Sequence, residues 1–165
     1  MTSTQSPIEI AKAIRKYKDL AKTNQLLFYK PYPKQREFHR AGKDYAERCL
    51  GAGNQLGKTL CGSFEMAYHL TGLYPEWWDG LVFDKPVIAW VGGVTGLTIR
   101  DSTQKLLIGR IQDPDGLGTG AIPKHLIIEV VKSMGAKDLA DHIKIKHVSG
   151  GTSIVFMKSY EQGRE

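Results

Sequence analysis

The chain has 165 residues, 41% hydrophobic and 24% charged, with a net charge of +6, which suits one α/β domain with a buried core and excludes a low-complexity chain. No run of about 18 apolar residues exists, which excludes a membrane span. The opening Met1-Thr2-Ser3-Thr4-Gln5 lacks the basic start and apolar stretch of a secretion signal, so the cytoplasm and no membrane partner are expected. Cys49 and Cys61 lack Cys-x-x-Cys spacing and read as reduced thiols. His142 and His147 fall on opposite faces of a predicted strand, so no zinc site is supported. Residues 1–48 hold 11 Lys/Arg against 5 Asp/Glu, and the rest of the chain is balanced. A basic leading segment fits either phosphate-backbone contacts or a solvated helix face.

Ser6, Pro7 and Glu9 form a helix start with a capping box. Ile10, Ile14, Tyr17 and Ala21 then mark one apolar face, predicting an amphipathic helical segment over 1–30 that packs on the domain or on a partner. Pro31 and Pro33 end it. A second helix is predicted from Lys34 to about Gly42, and a short strand at Arg48-Cys49-Leu50. After a glycine-rich loop, Leu60, Phe64, Ala67 and Tyr68 suit the buried face of a helix ended by Gly72. Residues 86–91 read as a buried parallel strand, 95–108 as a helix and 111–123 as a loop. Helix is expected over Lys124 to Leu139, and a β-hairpin over 143–148 and 152–158 around Ser149-Gly150-Gly151. The alternation predicts a parallel sheet with flanking crossover helices.

Residues 52–59, Ala-Gly-Asn-Gln-Leu-Gly-Lys-Thr, fit the Walker A pattern with Ala52 in place of the first glycine. Such a loop wraps phosphates with backbone N–H groups, and the helix that follows offers its positive dipole end to the same anion. Gly53, Asn54, Gln55, Leu56 and Gly57 are therefore expected to cradle ATP, Lys58 to bridge its phosphates as the catalytic cation, and Thr59 to ligate Mg²⁺. The acid expected at the end of a buried strand is missing: Asp84 lacks a following glutamate and Glu129 a preceding aspartate.

The sequence resembles the large subunit of the tailed-phage terminase. The likeness is carried by Pro31-Tyr32-Pro33-Lys34-Gln35-Arg36-Glu37-Phe38, by Gly53 to Thr59, by Glu65 to Gly72, by Tyr74-Pro75-Glu76-Trp77-Trp78, and by Gly151 to Phe156 with Ser159-Tyr160-Glu161-Gln162-Gly163. It implies a P-loop NTPase of the ASCE, RecA-like kind, with ATP and Mg²⁺ as cofactors. The implied protein is a ring-forming motor on the capsid portal that drives double-stranded viral DNA inward in the host cytoplasm, with a small terminase subunit as partner. It also implies that Gln35 reads adenine and that Arg100 stands in for an arginine finger, because Asn54 occupies the place where some members carry one. Residues 31–165 are then expected to be the N-terminal part of the ATPase domain, an incomplete sheet stopping before its Asp-Glu strand, without the nuclease domain. A superfamily-two helicase and a non-catalytic nucleotide-binding or interaction module are the alternatives.

Overall fold

The computed structural model describes residues 6–160. Helix α1 (Pro7–Thr23) starts as the sequence predicts, with Ser6 Oγ accepting from the Ile8 N–H and Glu9 Oε2 accepting from the Ser6 N–H. None of its residues is buried; Ile10, Ile14 and Tyr17 of the apolar stripe face solvent. A short 3₁₀ turn (Gln25–Leu27) leads to α2 (Pro33–Ala41), and α3 (Lys58–Thr71) ends at Gly72, whose φ of +72° is the left-handed cap glycine adopts without strain.

The sheet contains β1 (Ile88–Gly93), β2 (Ile127–Lys132), β3 (Ala140–Lys146) and β4 (Thr152–Ser159) in the order β1-β4-β3-β2. Only β1 and β4 are parallel; β3 runs antiparallel to β4 and to β2. The expected β3–β4 hairpin is present, but the parallel sheet is reduced to the β1–β4 pair and the sheet is mixed, because the short connections between β2, β3 and β4 return the chain antiparallel. Between β1 and β2, α4 (Gly96–Ile99), a π-helical stretch (Arg100–Gln104) and α5 (Lys105–Ile108) run on as the expected rod, capped by the Thr95 hydroxyl.

Two further expectations are corrected. Residues 124–139 contain a 3₁₀ turn and strand β2 rather than a helix. The run Ile127-Ile128-Glu129-Val130-Val131 is β-branched at four of five positions and gains a partner in β3, with Lys144 Nζ 2.7 Å from Glu129 Oε2 across the pair. Residues 48–50 form no strand: among the described residues they pair with nothing, Cys49 is exposed, and Arg48 turns toward α2 and α3. The hairpin is where the pattern put it, with Gly150 at φ +97° in its turn.

Helix α3 and the 96–108 rod cover one face of the sheet. Phe64, Leu70, Ile99 and Leu107 pack there with Val91, Ile143, Ile145, Val155 and Met157. Ile88 and Trp90 lie on the opposite face and are exposed.

Candidate functional site

Residues 51–56 carry no regular structure and are exposed. Two left-handed residues set the turn: Gln55 at φ +62° and Gly57 at φ +74°. Gly57 is the N-cap of α3, and its carbonyl accepts from the Cys61 N–H at 2.8 Å, starting the helical ladder. The 14-residue α3 therefore presents its first turn to the loop, where unsatisfied N–H groups and the positive end of the dipole gather. Lys58 folds back over it, donating to Ala52 O at 2.6 Å and Gly53 O at 2.7 Å. Thr59 is exposed on the same turn. The left-handed N-cap, the helix start and an ammonium held over the loop fit a polyphosphate; Thr59 offers one oxygen to a divalent cation.

A cleft of about 730 Å³ opens between the loop and α2. Tyr32, Gln35, Phe38, Tyr45, Arg48 and Lys58 are among its lining residues. Aromatic rings beside a phosphate-binding loop are the composition of a pocket that takes a planar base.

Gln35 is only 5% exposed, so it is not a surface residue of α2. Its Nε2 donates to Gly57 O at 3.2 Å, and its Oε1 accepts from Tyr32 N–H at 3.0 Å and Tyr29 O–H at 3.4 Å. To read adenine, as the resemblance implies, Gln35 would have to exchange one of these partners for the base. Reading adenine takes an acceptor for the exocyclic amine. Tyr32 N–H occupies one lone pair of Oε1, and the Tyr29 hydroxyl, whose single proton is shared between Oε1 and His39 Nε2, faces the other.

Behind Gln35 lies a buried polar cluster. Glu65 Oε2 is 2.8 Å from His39 Nδ1; Glu65 Oε1 accepts from Arg48 Nη2 at 2.5 Å and is 3.5 Å from His69 Nε2. Burial pulls the Glu65 carboxyl upward, but bonds from His39, His69 and Arg48 outweigh it and hold the group well below the usual carboxylate range. His39 Nε2 faces the Tyr29 hydroxyl at 3.2 Å, and burial pushes that phenol far above its ordinary value.

The sequence profile described as "Terminase large subunit, T4likevirus-type, N-terminal" matches residues 49–165. This chain belongs to the terminase large-subunit family. It is 42% identical to a terminase large subunit of Salmonella phage P22 over 179 aligned residues, which cover 98% of this chain and 36% of the relative. A terminase large subunit of Enterobacteria phage LP7 is 28% identical over 131 residues, covering 72% of this chain and 28% of that protein. The chain thus spans about a third of the length of these relatives. No solved structure matches.

Within this terminase chain Arg100 is not brought to the loop. Its Nε and Nη2 pair with the two oxygens of Asp101 at 2.8 and 2.9 Å, and its Nη1 donates to Lys137 O at 3.1 Å. It is not among the residues that line the cleft. Glu129 sits on edge strand β2, paired with Lys144, and Asp84 is exposed in the connection before β1. Among the described residues no group of three or more His, Cys, Asp or Glu converges as a metal site. No helix among them is long and apolar enough to cross a membrane.

Sequence reasoning missed Tyr29, His39, Arg48 and Glu65. One signal was available: Glu65 follows Cys61 by four residues, stands between Phe64 and Tyr68, and is the one charged residue among the buried positions of the helix. A lone acid on such a face needs a partner.

Proposed function

We propose that this chain is the nucleotide-binding part of a P-loop NTPase motor, which in the complete protein couples ATP hydrolysis to the movement of double-stranded viral DNA into a capsid. The observation that carries this reading is the Lys58 ammonium held over Ala52 and Gly53 at the start of α3, beside a cleft lined by Tyr32, Phe38 and Tyr45. On this reading Lys58 exchanges its two carbonyl partners for phosphate oxygens, and loop N–H groups from Gly53 to Gly57 cradle the same phosphates. Thr59 supplies an oxygen to Mg²⁺, which when bound neutralises charge on the transferring phosphoryl group. The ring, the portal and small-subunit partners and the DNA substrate come to this chain from its family.

A second reading concerns the chain by itself. Glu129 is paired with Lys144, and neither it nor Asp84 lines the cleft. Of the carboxylates that do, Glu37 is on α2 and Glu47 in the irregular approach to the loop. Neither stands at the end of a buried strand, where a P-loop NTPase carries the acid that orients the attacking water. Residues 1–165 then bind ATP as a non-catalytic module, and turnover belongs to the complete protein. To serve as an arginine finger, Arg100 would have to exchange its exposed pair with Asp101 for a phosphate.

Displacement of a fluorescent ATP analogue tests the proposal. Unlabelled ATP should compete for the site, and Lys58→Ala should remove most of the binding, since charge-assisted bonds to phosphate contribute roughly 1.5–3 kcal/mol. Equal affinity in Lys58→Ala would refute it.

A further inference from the structure

Helix α2 grips both ends of the glycine-rich loop. At the entry, Arg48 Nη1 donates to Phe38 O at 2.7 Å and the guanidinium lies 4.5 Å from the Phe38 ring. At the exit, Gln35 Nε2 holds Gly57 O. Phe38 and Gln35 are one turn apart on α2, so a single rigid element sets the span between residues 48 and 57. Residues 48–50 make no ladder, so the other ties across this span are side-chain bonds: Lys58 Nζ to Ala52 O and Gly53 O, and Arg48 to Glu65 of α3.

The grip depends on how α2 is anchored. Its only buried residues are Gln35 and His39, four apart on one face, so this helix docks through polar side chains rather than an apolar stripe. His39 is held by Glu65 of α3, and the same carboxylate holds Arg48. We infer that Glu65 is a positioning residue for the phosphate loop: through His39 it seats α2, through Arg48 it fixes the loop entry, and together these set the cradle that Lys58 and the loop amides form. The inference rests on the reading that the loop binds phosphate.

Its consequence differs from that of a base-reading glutamine. With Tyr32 N–H on Oε1, the Tyr29 hydroxyl facing it, and one Nε2 proton on Gly57 O, the group Gln35 has free to offer is its other Nε2 proton. Its purine partner would be N7, which adenine and guanine share. Loosening the grip should therefore weaken every triphosphate alike, and tripolyphosphate with them.

The test uses the 165-residue chain and the variants Glu65→Gln, Arg48→Lys and Gln35→Glu. The last keeps an acceptor for Tyr32 and loses the donor to Gly57. Calorimetry should show binding of ATP, GTP and tripolyphosphate weakened in parallel by about ten- to a hundredfold, as small misplacements of a binding geometry do. NMR without nucleotide should show shifted Gly53 and Gly57 amides and lowered order parameters in the loop, with the helical circular dichroism kept. A lower melting temperature with unchanged loop spectra and affinities would make Glu65 merely structural and overturn the inference. Selective loss of ATP would return Gln35 to base reading and overturn it too. Should Glu65→Gln fail to fold, Arg48→Lys and Gln35→Glu carry the test at the two loop ends. If wild type binds none of the three ligands, the phosphate reading fails while the loop spectra still decide the positioning.

Discussion

The rings of Tyr29 and Phe64 stack with centroids 4.2 Å apart and planes within 6°. This contact joins the link between α1 and α2 to the helix that leaves the loop, and it fixes the Tyr29 hydroxyl between Gln35 and His39. Phe64 is 4% exposed. Phe64→Ala removes the ring and leaves a cavity, so it should destabilise the chain by about 3–5 kcal/mol in urea unfolding. A loss under about 1 kcal/mol would mean that the stack carries little of the core.

Glu65 also gives acid sensitivity a definite sign. Its folded-state pKa is depressed, so the native state holds fewer protons there than the unfolded chain. The resulting stability is present above the ordinary carboxylate pKa, roughly 4.3, and is lost as pH falls below it. Melting curves from pH 7 to 3 should show wild type well above Glu65→Gln at neutral pH and converging toward it in acid. A constant gap would contradict an ionised Glu65.

The two thiols should behave differently. Cys61 is buried and its thiol is pushed up to about 11 by that burial, whereas Cys49 is exposed and lines the cleft. Maleimide labelling at pH 7.5 should modify one thiol in the folded chain and two after denaturation. ATP should slow the labelling of Cys49. Labelling at an unchanged rate with saturating ATP would place the nucleotide elsewhere.

Helix α1 packs through none of its residues as a buried side chain. Removing residues 1–23 should therefore change the unfolding free energy by about 0.5 kcal/mol or less. A large loss in urea unfolding would show that the Tyr17–Phe28 edge contact, at 5.1 Å, anchors more than its exposure implies.

Much of this was legible in the sequence for reasons that can be stated residue by residue. Ser6 with Glu9, Gly72 and Gly150 act locally, and local rules identified the helix start, the helix end and the hairpin turn. The loop was legible because Gly57-Lys58-Thr59 must open a helix to work. Strand β2 was not, because a short apolar run states no period and its identity comes from pairing with β3. Gln35 looked like a surface residue or a base reader because its partner Gly57 lies 22 positions away. Glu65 was illegible for the same reason: its partners His39 and Arg48 are brought by the fold.

The central claim is that phosphates sit on the 52–59 loop at the start of α3, and nitrogen–proton NMR spectra recorded during titration with ATP test it most directly. The account predicts saturable shifts concentrated on the amides of Gly53, Gly57, Lys58 and Thr59, reproduced by tripolyphosphate at those positions and absent in Lys58→Ala. Shifts confined to another part of the chain, or none at saturating nucleotide, would contradict it.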